Sequence, residues 1–151
     1  MKRWEYLTWA GILAICLVVG VLVGQWAAPE PVVGVVRFEG AIDFVAADML
    51  VNLLEKARQD PTVAAVVLEI RSPGGIATSS ENIFYSMLRL RAEKPLVVVI
   101  DGIAASGGYY MAAAANRIYA PASAYVGNIG TRGPRPVDPY ISPDELSTGP
   151  Y

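Results

Sequence analysis

From Leu7 to Ala28 the chain reads LTWAGILAICLVVGVLVGQWAA, without a single charge. At about 1.5 Å per residue such a run makes a helix of roughly 33 Å, enough to cross a bilayer core. A helix apolar on every side has no polar face to turn to water, so it is a poor surface helix for a soluble domain. Trp4, Tyr6 and Trp9 stand at one end and Trp26 at the other, as interfacial aromatic belts do. Lys2 and Arg3 precede the run and Glu30 is the first charge after it. The positive-inside bias then places residues 1–6 in the cytoplasm, 7–28 across the cell membrane in contact with lipid, and everything past a 29–31 linker outside. The competing reading is a cleaved signal peptide. Its apolar core is only about 7–15 residues long, although Ala27-Ala28 would suit a cleavage site.

The remainder is long enough for one domain. The net charge of −2 advertises no broad basic surface for nucleic acid. The lone Cys16 lies in the apolar run, so neither an internal disulfide nor a thiolate metal site is available. The chain has no histidine, which removes the commonest metal ligand and the commonest general base.

Residues 32–151 alternate in pattern. Val32–Phe38 is rich in β-branched residues and predicts a strand. Ala46–Gln59 has helical spacing, with Met49, Leu50, Leu53, Leu54 and Ala57 inward. Val63–Arg71 is a nearly continuous apolar run and predicts a buried strand. Thr78 and Glu81 have capping-box spacing and open a second helix with Ile83, Phe84, Met87, Leu88 and Leu90 inward. Lys94-Pro95 ends it, and Leu96–Ile100 predicts a third buried strand. A helix from about Ser106 to Asn116 and two short strands, in RIYA and AYVGNIG, follow. The alternation implies an α/β domain with a parallel sheet and packed helices. Residues 131–151 are Pro-rich and predict an extended loop.

In such a fold chemistry gathers where strand ends turn into helices. Two junctions qualify, Ser72–Gly75 and Asp101–Gly108, and they should share one edge of the sheet. Gly74 and Gly75 can present backbone N–H groups to a developing oxyanion, or can simply form a Pro-Gly turn. Ser106 can be a nucleophile in open space beside Gly107 and Gly108, or an N-cap of the helix that follows. A serine nucleophile needs a base, and without histidine a desolvated lysine is the main option. Lys2 lies before the apolar run, Lys56 on the wet side of the first helix, and Lys94 at the far end of the sheet. None is well placed.

Together, IRSPGG and EKPLVVVIDGIAASGGYYMAAAANRIYAPASAYVGNIG resemble the signal peptide peptidase A family, membrane-anchored Ser-Lys proteases with the Clp-protease/crotonase fold. The resemblance runs from about Val32 to Gly130. It implies that Ser106 is the nucleophile and that N–H groups of the Gly74-Gly75 turn and of Gly107 form the oxyanion hole. It implies polypeptide substrates, signal peptide remnants or misfolded extracytoplasmic protein, assembly into homo-oligomers, and no cofactor or metal. In short members of the family a base lysine follows the loop after a G-S-I-G segment, and the alignment puts that lysine just past Tyr151. The expectation is therefore a membrane serine endopeptidase whose present sequence is a fragment, its fold incomplete at the C-terminus. The segment GNIGTRGPRP departs from the family pattern. The rival readings are an inactive, membrane-tethered peptide-binding scaffold and a crotonase-like acyl-CoA enzyme, the latter disfavoured outside the cytoplasm.

Overall fold

The computed structural model describes residues 3–27, 30–133 and 146–147. It divides into two units, Met1–Pro31 and Val32–Tyr151. The first holds α1 (Arg3–Ala27), whose Tyr6–Gln25 window has a mean hydropathy of 2.5 and is long and apolar enough to cross a membrane.

The second unit is a parallel α/β sheet of the expected class. Its order is β1 (Val32–Glu39), β2 (Val63–Ser72), β3 (Leu96–Ala105), β4 (Arg117–Tyr119), and β5 (Tyr125–Gly127) joins the same edge of β3 further along. Helices α2 (Phe44–Gln59) and α3 (Ala77–Glu93) return the chain between the first three strands and pack on each other and on one face of the sheet. Burial follows the strand period of two: Val66, Leu68 and Ile70 of β2 and Leu96, Val98 and Ile100 of β3 lie in the core beneath Leu50, Leu54, Ile83, Met87 and Leu90.

Among the described residues only that face is covered, so β2 and β3, expected to be buried strands, are buried on one side alone. Val67, Val97 and Val99 are half-buried, Val33 and Val35 exposed. The same face carries an Arg37–Glu69 pair and a Glu39–Arg71–Asp101 chain of ion pairs. Met49 and Leu53, expected inward on α2, are exposed, because the face that α2 buries is centred on Ala47, Leu50 and Leu54, with Ala46, Val51 and Ala57 at its margin.

Four boundaries also differ. Helix α2 begins two residues early, capped by Asp43, whose carboxylate accepts the Ala46 N–H at 2.7 Å. Helix α3 has no Thr78 cap: it starts after Ile76, whose N–H donates to the Ile42 carbonyl at 2.8 Å. Strand β3 runs on through Asp101–Ala105, where a turn was expected. Between the pairs Ile70–Ile100 and Ser72–Ala104, β3 uses two more residues than β2, and Gly102 at φ +79° takes up the slack. The helix after Ser106 is short, α4 (Gly107–Ala112). Within the expected 131–151 loop, β6 (Arg132–Gly133) pairs antiparallel with β7 (Leu146–Ser147), and residues 134–145 and 148–151 lie outside the described residues.

Candidate active site

The extended β3 delivers Ser106 to the turn between β3 and α4. Its backbone sits at φ 49°, ψ −123°, a positive-φ conformation outside the left-handed helical region that residues other than glycine rarely adopt. Such strain costs on the order of 1–3 kcal/mol and persists only where surroundings impose it. Here they do. The Ser106 N–H donates to the Gly127 carbonyl at 2.9 Å, and the Ser106 carbonyl accepts from Tyr110 N–H at 2.9 Å and Tyr109 N–H at 3.1 Å. The backbone thus caps α4. The side chain makes no capping bond, and Ser106 Oγ has no hydrogen-bond partner among the described residues. The helix-cap reading of this hydroxyl is overturned.

The other junction packs directly on this turn. Gly74 is at φ +99°, and a Cβ there would lie 2.8 Å from Ala105 O, Gly107 N and Ser106 Cβ. A Cβ on Gly107 would lie 2.1 Å from Ser80 Oγ, and one on Gly108 would lie 2.7 Å from the Ser72 carbonyl. Gly75 presses on Ile42, where its Cβ would meet the carbonyl oxygen at 2.2 Å. Glycine is required at each position because backbone or a buried group occupies the space of a side chain.

Sequence could not separate the three candidate oxyanion donors, but hydrogen bonding does. The Gly74 N–H donates to Ser72 Oγ at 3.1 Å, and Ser72 is fully buried. Gly75 bridges Ile42 in parallel, through Ile42 N–H to Gly74 O and Ile76 N–H to Ile42 O. In that pattern the N–H of Gly75 itself points away from Ile42. Gly75 and Gly107 N–H have no acceptor among the described residues.

Gly75, Ser106 and Gly107 line one open cleft of about 660 Å³. Three stretches form it: Gly75 to Thr78 with Ser80 and Glu81, the Ser106 turn with Tyr110, and Ile129 to Arg132. Tyr110 stacks on Phe84, centroids 4.7 Å apart at 18°, and burial holds its phenol above the ordinary value, with Glu81 and Tyr85 adding to the effect. Neither Tyr110 nor Glu81, which the sequence placed only in a capping box with Thr78, stood among the site candidates, yet both line the cleft.

Among the described residues no lysine reaches Ser106. Lys56 is exposed on α2. Lys94 Nζ donates to the Ala57 and Asp60 carbonyls at 2.7 and 2.6 Å. It sits before the start of β3 and Ser106 just past its end, roughly 30 Å of strand away.

Residues 89–134, which include Ser106, match the sequence model of peptidase family S49. Over 90 residues the chain is 43 % identical to Protease 4 of Salmonella typhi, covering 59 % of this chain and 15 % of that protein. Over 86 residues it is 36 % identical to the chloroplastic serine protease SPPA of Arabidopsis thaliana, covering 57 % of this chain and 13 % of that one. It therefore spans only a small part of these curated relatives. The membrane-bound stomatin-specific protease 1510-N, solved as a lysine-to-alanine variant with a substrate peptide, superposes with a TM-score of 0.57 at 24 % identity, over 64 % of this chain and 44 % of that one. A serine-to-alanine variant of 1510-N gives 0.59 at 23 %, over 79 % and 56 %. That likeness establishes the fold. In sequence around the Ser106 turn and in fold over most of its length, this chain is similar to the S49 peptidases, the group to which its paired glycine motifs pointed.

Proposed function

We propose that the chain is the nucleophile-bearing part of a membrane-anchored serine endopeptidase. One observation carries the reading: Ser106 is held in a strained turn with its hydroxyl unpartnered at a cleft, beside two backbone N–H groups without acceptors. Ser106 Oγ attacks the scissile carbonyl of a polypeptide. The N–H groups of Gly75 and Gly107 receive the oxyanion, and Gly74 serves by close packing rather than as a donor. A lysine amine from outside the described residues, in the chain past Tyr151 or in a neighbouring subunit, takes the hydroxyl proton and passes it to the leaving amine. Water then hydrolyses the acyl-enzyme.

Helix α1 is the anchor, with its N-terminus cytoplasmic and the cleft outside. The substrates are signal peptide remnants or other membrane and extracytoplasmic polypeptides. The peptide-bound form of 1510-N and its lysine and serine variants support this reading by analogy. Exposed Phe44, Val45, Met49 and Leu53 on α2 support self-association.

The test is a fluorophosphonate probe on the chain extended past Tyr151. Labelling that is lost in Ser106→Ala is the expected result, and no labelling of the extended chain overturns it. The distance of Lys56 and Lys94 from Ser106 favours a second reading, an inactive membrane-tethered scaffold of the same fold that binds extended peptides. Under that reading peptides bind but the probe does not react.

A further inference from the structure

Beside the Ser106 turn the cleft carries a feature that neither nucleophile nor oxyanion hole requires. Glu81 of α3 is exposed, lines the cleft, and makes no salt bridge among the described residues. One helical turn on, Phe84 backs the half-buried ring of Tyr110, which lines the same cleft. Tyr85 meets Phe84 edge-on at 5.6 Å, so the stacked pair is buttressed. Arg132, which also lines the cleft, is engaged in interactions of its own. A carboxylate beside a fixed aromatic ring is the chemistry that recognises an organic cation: the carboxylate supplies charge, the ring face a cation–π surface.

We infer that Glu81 and Tyr110 form a subsite that selects a cationic group on the bound polypeptide, a Lys or Arg side chain or a free N-terminal ammonium. The inference rests on the peptide-binding reading of the cleft and names its substrate preference. A partly exposed ion pair and a partly exposed cation–π contact together imply a preference of about five- to tenfold, shrinking with salt.

The test uses the Ser106→Ala chain in detergent micelles and fluorescein-labelled, N-acetylated nonapeptides carrying one Lys at successive positions, against the same peptides with Gln. Anisotropy is expected to show tighter binding of the Lys series at one position. Glu81→Gln should bring that peptide to the level of its Gln counterpart, and Glu81→Lys should favour a peptide with Glu there. An unacetylated peptide without Lys separates the two sources: a gain on removing the acetyl group assigns the subsite to the N-terminal ammonium. Equal binding of every Lys and Gln pair, with no gain on removing the acetyl group, overturns the subsite alone, since probe labelling of Ser106 reports the nucleophile independently. Failure of every peptide to bind overturns the subsite together with the peptide-binding reading.

Discussion

Gly74→Ala separates two costs that glycine motifs usually confound. Gly74 and Gly40 have nearly the same φ, +99° and +102°. At either, an L-residue costs about 1–2 kcal/mol for the left-handed conformation. At Gly40 a Cβ would meet nothing within 4 Å, so Gly40→Ala should cost only that. At Gly74 the Cβ would stand 2.8 Å from three atoms of the Ser106 turn, two of them backbone, and none can swing aside as a side-chain tip could. Overpacking of this kind adds about 1–3 kcal/mol, for a total of roughly 2–5 kcal/mol. At about 4 °C per kcal/mol for a domain near this size, Gly40→Ala should lower Tm by about 4–8 °C and Gly74→Ala by about 8–20 °C. Far-UV circular dichroism is the assay. Tryptophan fluorescence would miss the transition, because Trp4, Trp9 and Trp26 all lie in α1. Labelling of Ser106 in the extended chain should fall in Gly74→Ala and persist in Gly40→Ala. Equal losses of Tm in the two variants would mean that Gly74 does not bear on the Ser106 turn, and the packing argument for the paired motifs would fail.

Three further outcomes follow from particular contacts. Hydrogen bonds from Arg58 and then Gln59 draw the Glu55 carboxyl from its usual 4.5 down to about 2. Its folded pKa lies below its unfolded one, so its contribution is complete above about pH 4.5 and disappears as pH falls towards 2. The Tm difference between the wild type and Glu55→Gln should be largest near neutrality and close at pH 2, and a constant difference across that range refutes the assignment. Lys94→Met removes two bonds to carbonyls at the end of α2 and should cost about 1–3 kcal/mol while leaving probe labelling of the extended chain unchanged; lost labelling would make Lys94 the base and contradict its placement. Ser106→Gly relieves the strained φ and should raise stability by roughly 1 kcal/mol in a chemical denaturation series, whereas a loss would show that the turn is not strained.

The fold was legible where local pattern and tertiary packing agree. The apolar stretches Val63–Arg71 and Leu96–Ile100 pair as parallel strands, and Ile83, Met87 and Leu90 recur at helical spacing and are buried. It was illegible where distant partners decide. Asp101-Gly102 has turn composition, yet pairing of Ile103–Ala105 with β5 keeps the strand going. Thr78 has a capping motif, yet the Ile76 to Ile42 bond fixes where α3 begins. Met49 and Leu53 fit an inward stripe, but a helix on one sheet face uses only its narrow inner edge. At the candidate site, motif and spacing singled out Ser106 and the glycines, which the structure brings together at one cleft. Ser72, which draws the Gly74 N–H away from the cleft, has no signature in sequence, because its role arises only when β2 ends against α4.

That contact explains why the two motifs are informative only together. Each glycine marks a place where one junction leans on another: Gly74 on Ser106, Gly107 on Ser80, Gly108 on Ser72, Gly75 on Ile42. The serine turn therefore cannot relax without moving the end of β2, and the end of β2 cannot move without disturbing the start of α3. A strained φ at Ser106 survives because this interlock imposes it from outside the turn. Neither the position of the hydroxyl nor the direction of the two acceptor-free N–H groups depends on a charged side chain. On the peptidase reading proposed above, a chain without histidine would present both its nucleophile and its oxyanion donors through backbone geometry rather than through charged side chains.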